Sequence, residues 1–167
     1  MSCLINKGMI VSEQLLKWIR PEIRELSAYH VPDAAGLIKL DAMENPYRLP
    51  AELVQQWQAG LAAVDLNRYP DPAATELHDR LAEVMQVPPG RGMVLGNGSD
   101  ELIQMLALSV ASNERCILSF DPGFVMYSMI ARFAGMNYVG VPLADDFTLD
   151  LEKARAAIEQ HQPAIIF

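Results

Sequence analysis

The sequence is poor in the residues that staple or metallate small proteins. Two cysteines, Cys3 and Cys116, and three histidines stand among 167 residues. Two thiols cannot build a disulfide framework, and such sparing use fits a reducing compartment. His30, His78 and His161 are scattered without ligand-like spacing, so no metal site is expected. Cations are outnumbered: 13 Lys and Arg against 21 Asp and Glu leave a net charge of −8. The basic patch that holds nucleic acid is not expected on such a chain. Long apolar runs are missing too. No stretch approaches the ~20 residues of a membrane span. The opening Met1–Gln14 lacks the basic-then-apolar order of a secretory signal. These absences lead to the expectation of a soluble, cytoplasmic protein with small-molecule or protein partners.

What is present is an ordinary globular composition, 51% hydrophobic and 20% charged. The length suits one domain on the usual ~100–200 residues each. The first fifty residues read as irregular. Ser12 can cap a short helix over 13–19, and Pro21 restarts a helical pattern through Leu26. Leu37–Leu40 reads as a short strand, and Pro46 keeps Asn45 out of helix. Helices are expected over 50–64 and 73–85, where Leu53, Val54, Trp57, Leu61 and Val64, then Leu77, Leu81, Val84 and Met85, recur at helical spacing.

From residue 92 the rhythm changes. Strands are expected at 93–95, 116–120, 138–143 and 164–167, with helices at 99–111, 124–134 and 151–161. Strand and helix alternating at this spacing predict βαβ units: an α/β fold with a mostly parallel sheet and helices on both faces. In such folds ligands sit outside the carboxyl ends of the strands. The last strand, Ala164–Phe167, has no cap or polar tail after it, so the chain reads as stopping at the edge of its own site.

One motif there carries chemistry. Gly96-Asn-Gly-Ser-Asp-Glu101 joins a strand to a helix. Its glycines permit a tight turn and close backbone approach. Ser99 and Asp100 fall at the helix start, where unpaired N–H groups and the positive dipole end favour an anion. A plain helix cap by Ser99 or Asp100 is the competing reading. A dinucleotide-binding domain would want a third glycine where Glu101 stands, with Asp121 as its ribose acid. Phe124, in Asp121-Pro-Gly-Phe-Val-Met-Tyr127, could stack on a planar ring, or Phe124 and Tyr127 could both be core residues. Asn67-Arg-Tyr-Pro70 and Glu44-Asn-Pro46 read by themselves as turns.

Taken in order, Tyr29, Glu44-Asn-Pro46, Arg68-Tyr-Pro70, Gly98-Ser-Asp-Glu101 and Asp121–Tyr127 give a chain that resembles the histidinol-phosphate aminotransferases. These are fold-type I enzymes dependent on pyridoxal 5′-phosphate. The resemblance runs from about Arg20 to Phe167 and covers the N-terminal portion of such an enzyme. It implies an arm at 1–50 and the front of a large cofactor-binding domain at 51–167. It implies that Gly98, Ser99 and Asp100 hold the cofactor phosphate, and that Phe124, where tyrosine is common, stacks on the pyridine ring. It further implies that Tyr69 reaches the phosphate of the neighbouring subunit in a homodimer. Tyr29, Glu44 and Asn45 match the wall of the substrate pocket, although Met43 replaces a common asparagine.

The implied activity is transamination of L-histidinol phosphate with 2-oxoglutarate in histidine biosynthesis. A related decarboxylase of a phosphorylated amino acid is the alternative, and a nicotinamide-binding domain a remoter one. The family's Schiff-base lysine is matched by none of Lys7, Lys17, Lys39 and Lys153. The 167 residues by themselves are therefore expected to be inactive, because that chemistry needs a positioned lysine.

Overall fold

A computed structural model of the chain describes residues 13–26, 33–40 and 43–167. Two helical turns come first, α1 (Glu13–Leu16) and α2 (Pro21–Arg24), followed by α3 (Ala51–Ala62) and α4 (Thr75–Val84). Then α5 (Ser99–Ser109), β1 (Cys116–Asp121), α6 (Met126–Phe133), β2 (Asn137–Pro142), α7 (Leu151–His161) and β3 (Ile165–Ile166) alternate. Packing divides the chain into two units. One joins Met1–Ala28 to Val94–Phe167, and the other is Tyr29–Met93. The boundary at residue 50 suggested by family resemblance concerns roles in a site, and falls inside the second unit.

The α/β expectation holds: β1 is central in a parallel sheet of order β2-β1-β3. Side chains alternate across its two faces. Ile117 enters a core with Ile103 and Ala107 of α5, Ile130 and Ala131 of α6, and Met136. The opposite face carries Phe120, which lines an open pocket together with Leu151, Ala154 and Ile158 of α7. Helices thus cover both faces, and Ile117, Leu118 and Ile130 are fully buried. Each such side chain stabilises the fold by about 1.5–3 kcal/mol relative to exposure.

Two expected strands are absent. Met93–Leu95 and Leu37–Leu40 are irregular, and the sheet has three strands rather than four. Both segments have apolar sequences, but strand structure consists of a ladder with a neighbour, and neither pairs with another described segment. The last strand is shorter than its apolar run. Ala164 and Phe167 nevertheless donate their N–H groups to the carbonyls of Cys116 and Leu118, both at 2.9 Å, and extend the pairing.

Helix α7 begins and ends where the sequence predicts. The Asp150 carboxylate accepts from the N–H groups of Glu152 and Lys153, and left-handed Gln162 closes the helix by donating to the Ile158 carbonyl. The first described segment is tied down differently. Arg20 donates from Nη2 to the carbonyls of Phe133 (2.7 Å) and Arg132 (3.3 Å), and so caps the C-terminus of α6.

Candidate functional site

The turn before α5 was open to two readings, and the structure rules out the side-chain cap. Gly98, not Ser99 or Asp100, is the N-cap residue, and no side chain caps the helix. Ser99 and Asp100 are its first two helical residues, so their N–H groups have no partner within the helix. Gly98 holds φ 83° and ψ 174°, a conformation essentially restricted to glycine. Nothing lies within 4 Å of the place a Cβ would take there. The result is an open cradle of backbone donors at the positive end of an 11-residue helix. Glu101 folds back and accepts the Asn97 N–H, which draws one carboxylate into the turn.

At the carboxyl end of β1 the chain turns through Pro122 and Gly123, with a cis bond between Asp121 and Pro122. Gly123 is required for space, because a Cβ there would stand 2.3 Å from the Phe120 carbonyl oxygen. The turn presents Phe124 at the surface, 45% exposed. Its ring meets Tyr127 edge-on, with centroids 5.5 Å apart. Tyr127 in turn stacks on Phe167 at 4.5 Å and packs against the core. Tyr127 is therefore a packed residue, as the core reading expects, whereas Phe124 stays half-exposed and is not part of the core.

The sequence did not single out what holds this turn. Tyr138 of β2 donates its phenol to Asp121 Oδ1 at 2.8 Å. Gly140, two residues on along the same face, leaves the room. A Cβ there would fall 1.8 Å from Asp121 Oδ2. Burial, and secondly the Asp121 carboxylate, push the Tyr138 phenol up to about 12. A glycine inside a strand, alternating with an aromatic, was the available signal, since it marks a close approach. Asp121, weighed above as a ribose acid, is instead engaged by Tyr138.

The remaining expected site residues lie in the unit Tyr29–Met93. Tyr69 is fully exposed, at 102%. Glu44 pairs with Lys39 at 3.0 Å. The Asn45 amide oxygen accepts the Tyr47 N–H at 3.0 Å, a local turn. Tyr29 lies outside the described residues. Among those described, no cluster of His, Cys, Asp and Glu could hold a metal, and no helix is long and apolar enough to cross a membrane.

Residues 35–167 match the profile of the family "Aminotransferase class I and II". The chain belongs to the class I and II aminotransferases. Among relatives, it is 61% identical over 150 residues to the histidinol-phosphate aminotransferase of Thiocapsa roseopersicina, a match covering 89% of this chain and 79% of that protein. It is 56% identical over 149 residues to histidinol-phosphate aminotransferase 2 of Cupriavidus pinatubonensis, covering 89% of this chain and 41% of the relative.

Among solved structures, the fold superposes on the histidinol-phosphate aminotransferase of Sinorhizobium meliloti, solved in complex with pyridoxal-5′-phosphate. The TM-score is 0.68 at 23% identity, over 89% of this chain and 41% of that one. The enzyme of Clostridium acetobutylicum gives a TM-score of 0.57 at 26% identity, over 70% and 33%. The chain thus spans about two-fifths or less of these two structures and of the Cupriavidus relative. Membership of an aminotransferase family displaces the nicotinamide-binding alternative.

Proposed function

We propose that the full-length protein transfers an amino group between L-histidinol phosphate and 2-oxoglutarate, in histidine biosynthesis, with pyridoxal 5′-phosphate as cofactor. The observation that supports this most is the 61% identity to the Thiocapsa enzyme. The residues present fit the cofactor. The uncapped start of α5 and the glycine-only conformation at Gly98 suit a phosphate monoester. When bound, the cofactor supplies an electron sink for a carbon that loses its proton.

In this reading the N–H groups of Ser99 and Asp100 and the Ser99 hydroxyl donate to the phosphate oxygens. Gly98 lets the backbone come close. Phe124 lays its ring against the pyridine face, excludes water from it and fixes its tilt. Its phenyl lacks the phenol that a tyrosine would bring to this position. Tyr69, fully exposed in its own chain, donates to the phosphate held by a neighbouring subunit, which makes the protein a homodimer. Tyr29, Glu44 and Asn45 line the substrate pocket, and Lys39 holds the Glu44 carboxylate in place. Residues 1–50 serve as an N-terminal arm that contributes to substrate binding, and 51–167 as the front of the cofactor-binding domain. The protein works in the cytoplasm, away from membranes and nucleic acid.

The test is an assay of the purified full-length protein supplied with cofactor. Glutamate formation from 2-oxoglutarate should be faster with L-histidinol phosphate than with L-aspartate or L-phenylalanine. Turnover of those amino acids but not of histidinol phosphate would overturn the substrate assignment. Release of carbon dioxide from a phosphorylated amino acid, without glutamate, would point to a decarboxylase.

A further inference from the structure

We infer that Tyr138 is a positioning residue for the ring platform: by holding Asp121 over Gly140, it fixes the turn that presents Phe124 to the cofactor. This rests on the reading of Phe124 given above.

Several observations converge on it. Asp121 is the last residue of β1 and the first of the turn that ends in Phe124. Its carboxylate is held by the Tyr138 phenol at 2.8 Å. Its carbonyl accepts the Leu143 N–H at 2.8 Å, just past the end of β2. Main chain and side chain are therefore both anchored to the neighbouring strand. The seat exists only because residue 140 has no side chain, since an added Cβ would overlap Asp121 Oδ2. Tyr138 is itself anchored: its ring packs against the core that also holds Tyr127 and Phe167. Tyr127 also meets the Phe124 ring, at an interplanar angle of 88°. Phe124 thus has two supports, an aromatic one through Tyr127 and a polar one through Asp121. The polar support acts where the turn leaves the sheet, because Asp121 is the last residue of β1 and both its carboxylate and its carbonyl are bonded to the β2 side.

The experiment uses the full-length apoprotein, titrated with pyridoxal 5′-phosphate and followed by fluorescence quenching and by the circular dichroism of the bound cofactor. Tyr138→Phe removes one oxygen and keeps the ring. One partly exposed hydrogen bond predicts a loss of roughly 2–10-fold in affinity. The dichroic band should change with it, reporting an altered ring environment. Asp121→Ala should match this, and adding it to Tyr138→Phe should cost nothing more. Asp121→Asn keeps an acceptor and should bind as the wild type does. Urea unfolding of each variant separates positioning from folding, and if Asp121→Ala does not fold, the milder Tyr138→Phe carries the test.

Wild-type affinity and dichroism in Tyr138→Phe would overturn the inference, whether or not its unfolding midpoint falls, provided Phe124→Ala impairs both readouts. If Phe124→Ala changes neither, the platform reading itself fails and the inference falls with it.

Discussion

Gly98→Ala and Gly60→Ala add the same methyl group, and their effects should have opposite sign. At both positions the space around a new Cβ is open, with nothing within 4 Å. Neither variant suffers a clash, so the difference lies in the backbone. Gly60 sits within α3, where alanine lowers the entropy of the unfolded chain and favours helix by about 0.5–1 kcal/mol. Gly98 holds φ 83° with ψ 174°. An L-residue forced there costs about 1–3 kcal/mol. The two variants should therefore differ by about 1.5–4 kcal/mol in unfolding free energy. Asparagine is a second discriminator. It tolerates the ordinary left-handed region, but ψ 174° lies outside it, so Gly98→Asn should rescue nothing. Urea unfolding gives the global values, and hydrogen exchange over the first turn of α5 shows where the cost falls. Cofactor affinity should drop in Gly98→Ala, because relaxing the strain turns the Ser99 and Asp100 N–H groups. An unchanged midpoint with unchanged exchange in α5 would refute the cradle.

Arg20→Ala should cost roughly 1 kcal/mol, less than a buried charged hydrogen bond because the side chain is 45% exposed, and should speed exchange at the end of α6. Asp150 lies below the ordinary carboxylate range because backbone N–H groups, that of Lys153 first, bond its charged form. Its contribution is present above the unfolded value and lost as pH falls through the lower folded one. The stability gap between wild type and Asp150→Asn should close over that acidic window in pH-dependent unfolding. Tyr138 has the opposite sign: a folded value raised to about 12 stabilises below the unfolded value near 10, and that contribution is lost as pH rises toward 12. Ultraviolet titration should show Asp121→Asn lowering the Tyr138 value without restoring it to 10, since burial is the larger cause.

The parts legible in the sequence are those governed by neighbours in the chain. Helix α7 has its cap, its amphipathic spacing and its stop within a dozen residues, and its ends fall where expected. The Gly-Ser-Asp turn before α5 is equally local, which is why a tight glycine turn leading into a helix start could be read from six residues. Which residue capped that helix was not legible, because Ser99 and Asp100 are both good caps and only backbone geometry excludes them in favour of Gly98.

Pairing was less legible still. Met93–Leu95 has the composition of a strand but no partner among the described residues, and composition cannot supply a partner. The bond between Asp121 and Tyr138 depends on the parallel register that sets Ser119 beside Gly140 and Asp121 beside Pro142. Seventeen positions separate the two side chains, and no periodicity connects them. The same holds for the choice between core and surface at Phe124 and Tyr127, which is made only when Phe167, just past β3, stacks on Tyr127 while Phe124 stays half-exposed. Sequence alone determined the α/β class, the main helices and the turn before α5, since local caps, turns and spacing encode them. The tertiary structure decided which aromatic packs into the core and what holds the turn before the other, because those choices are made by strands meeting from distant parts of the chain.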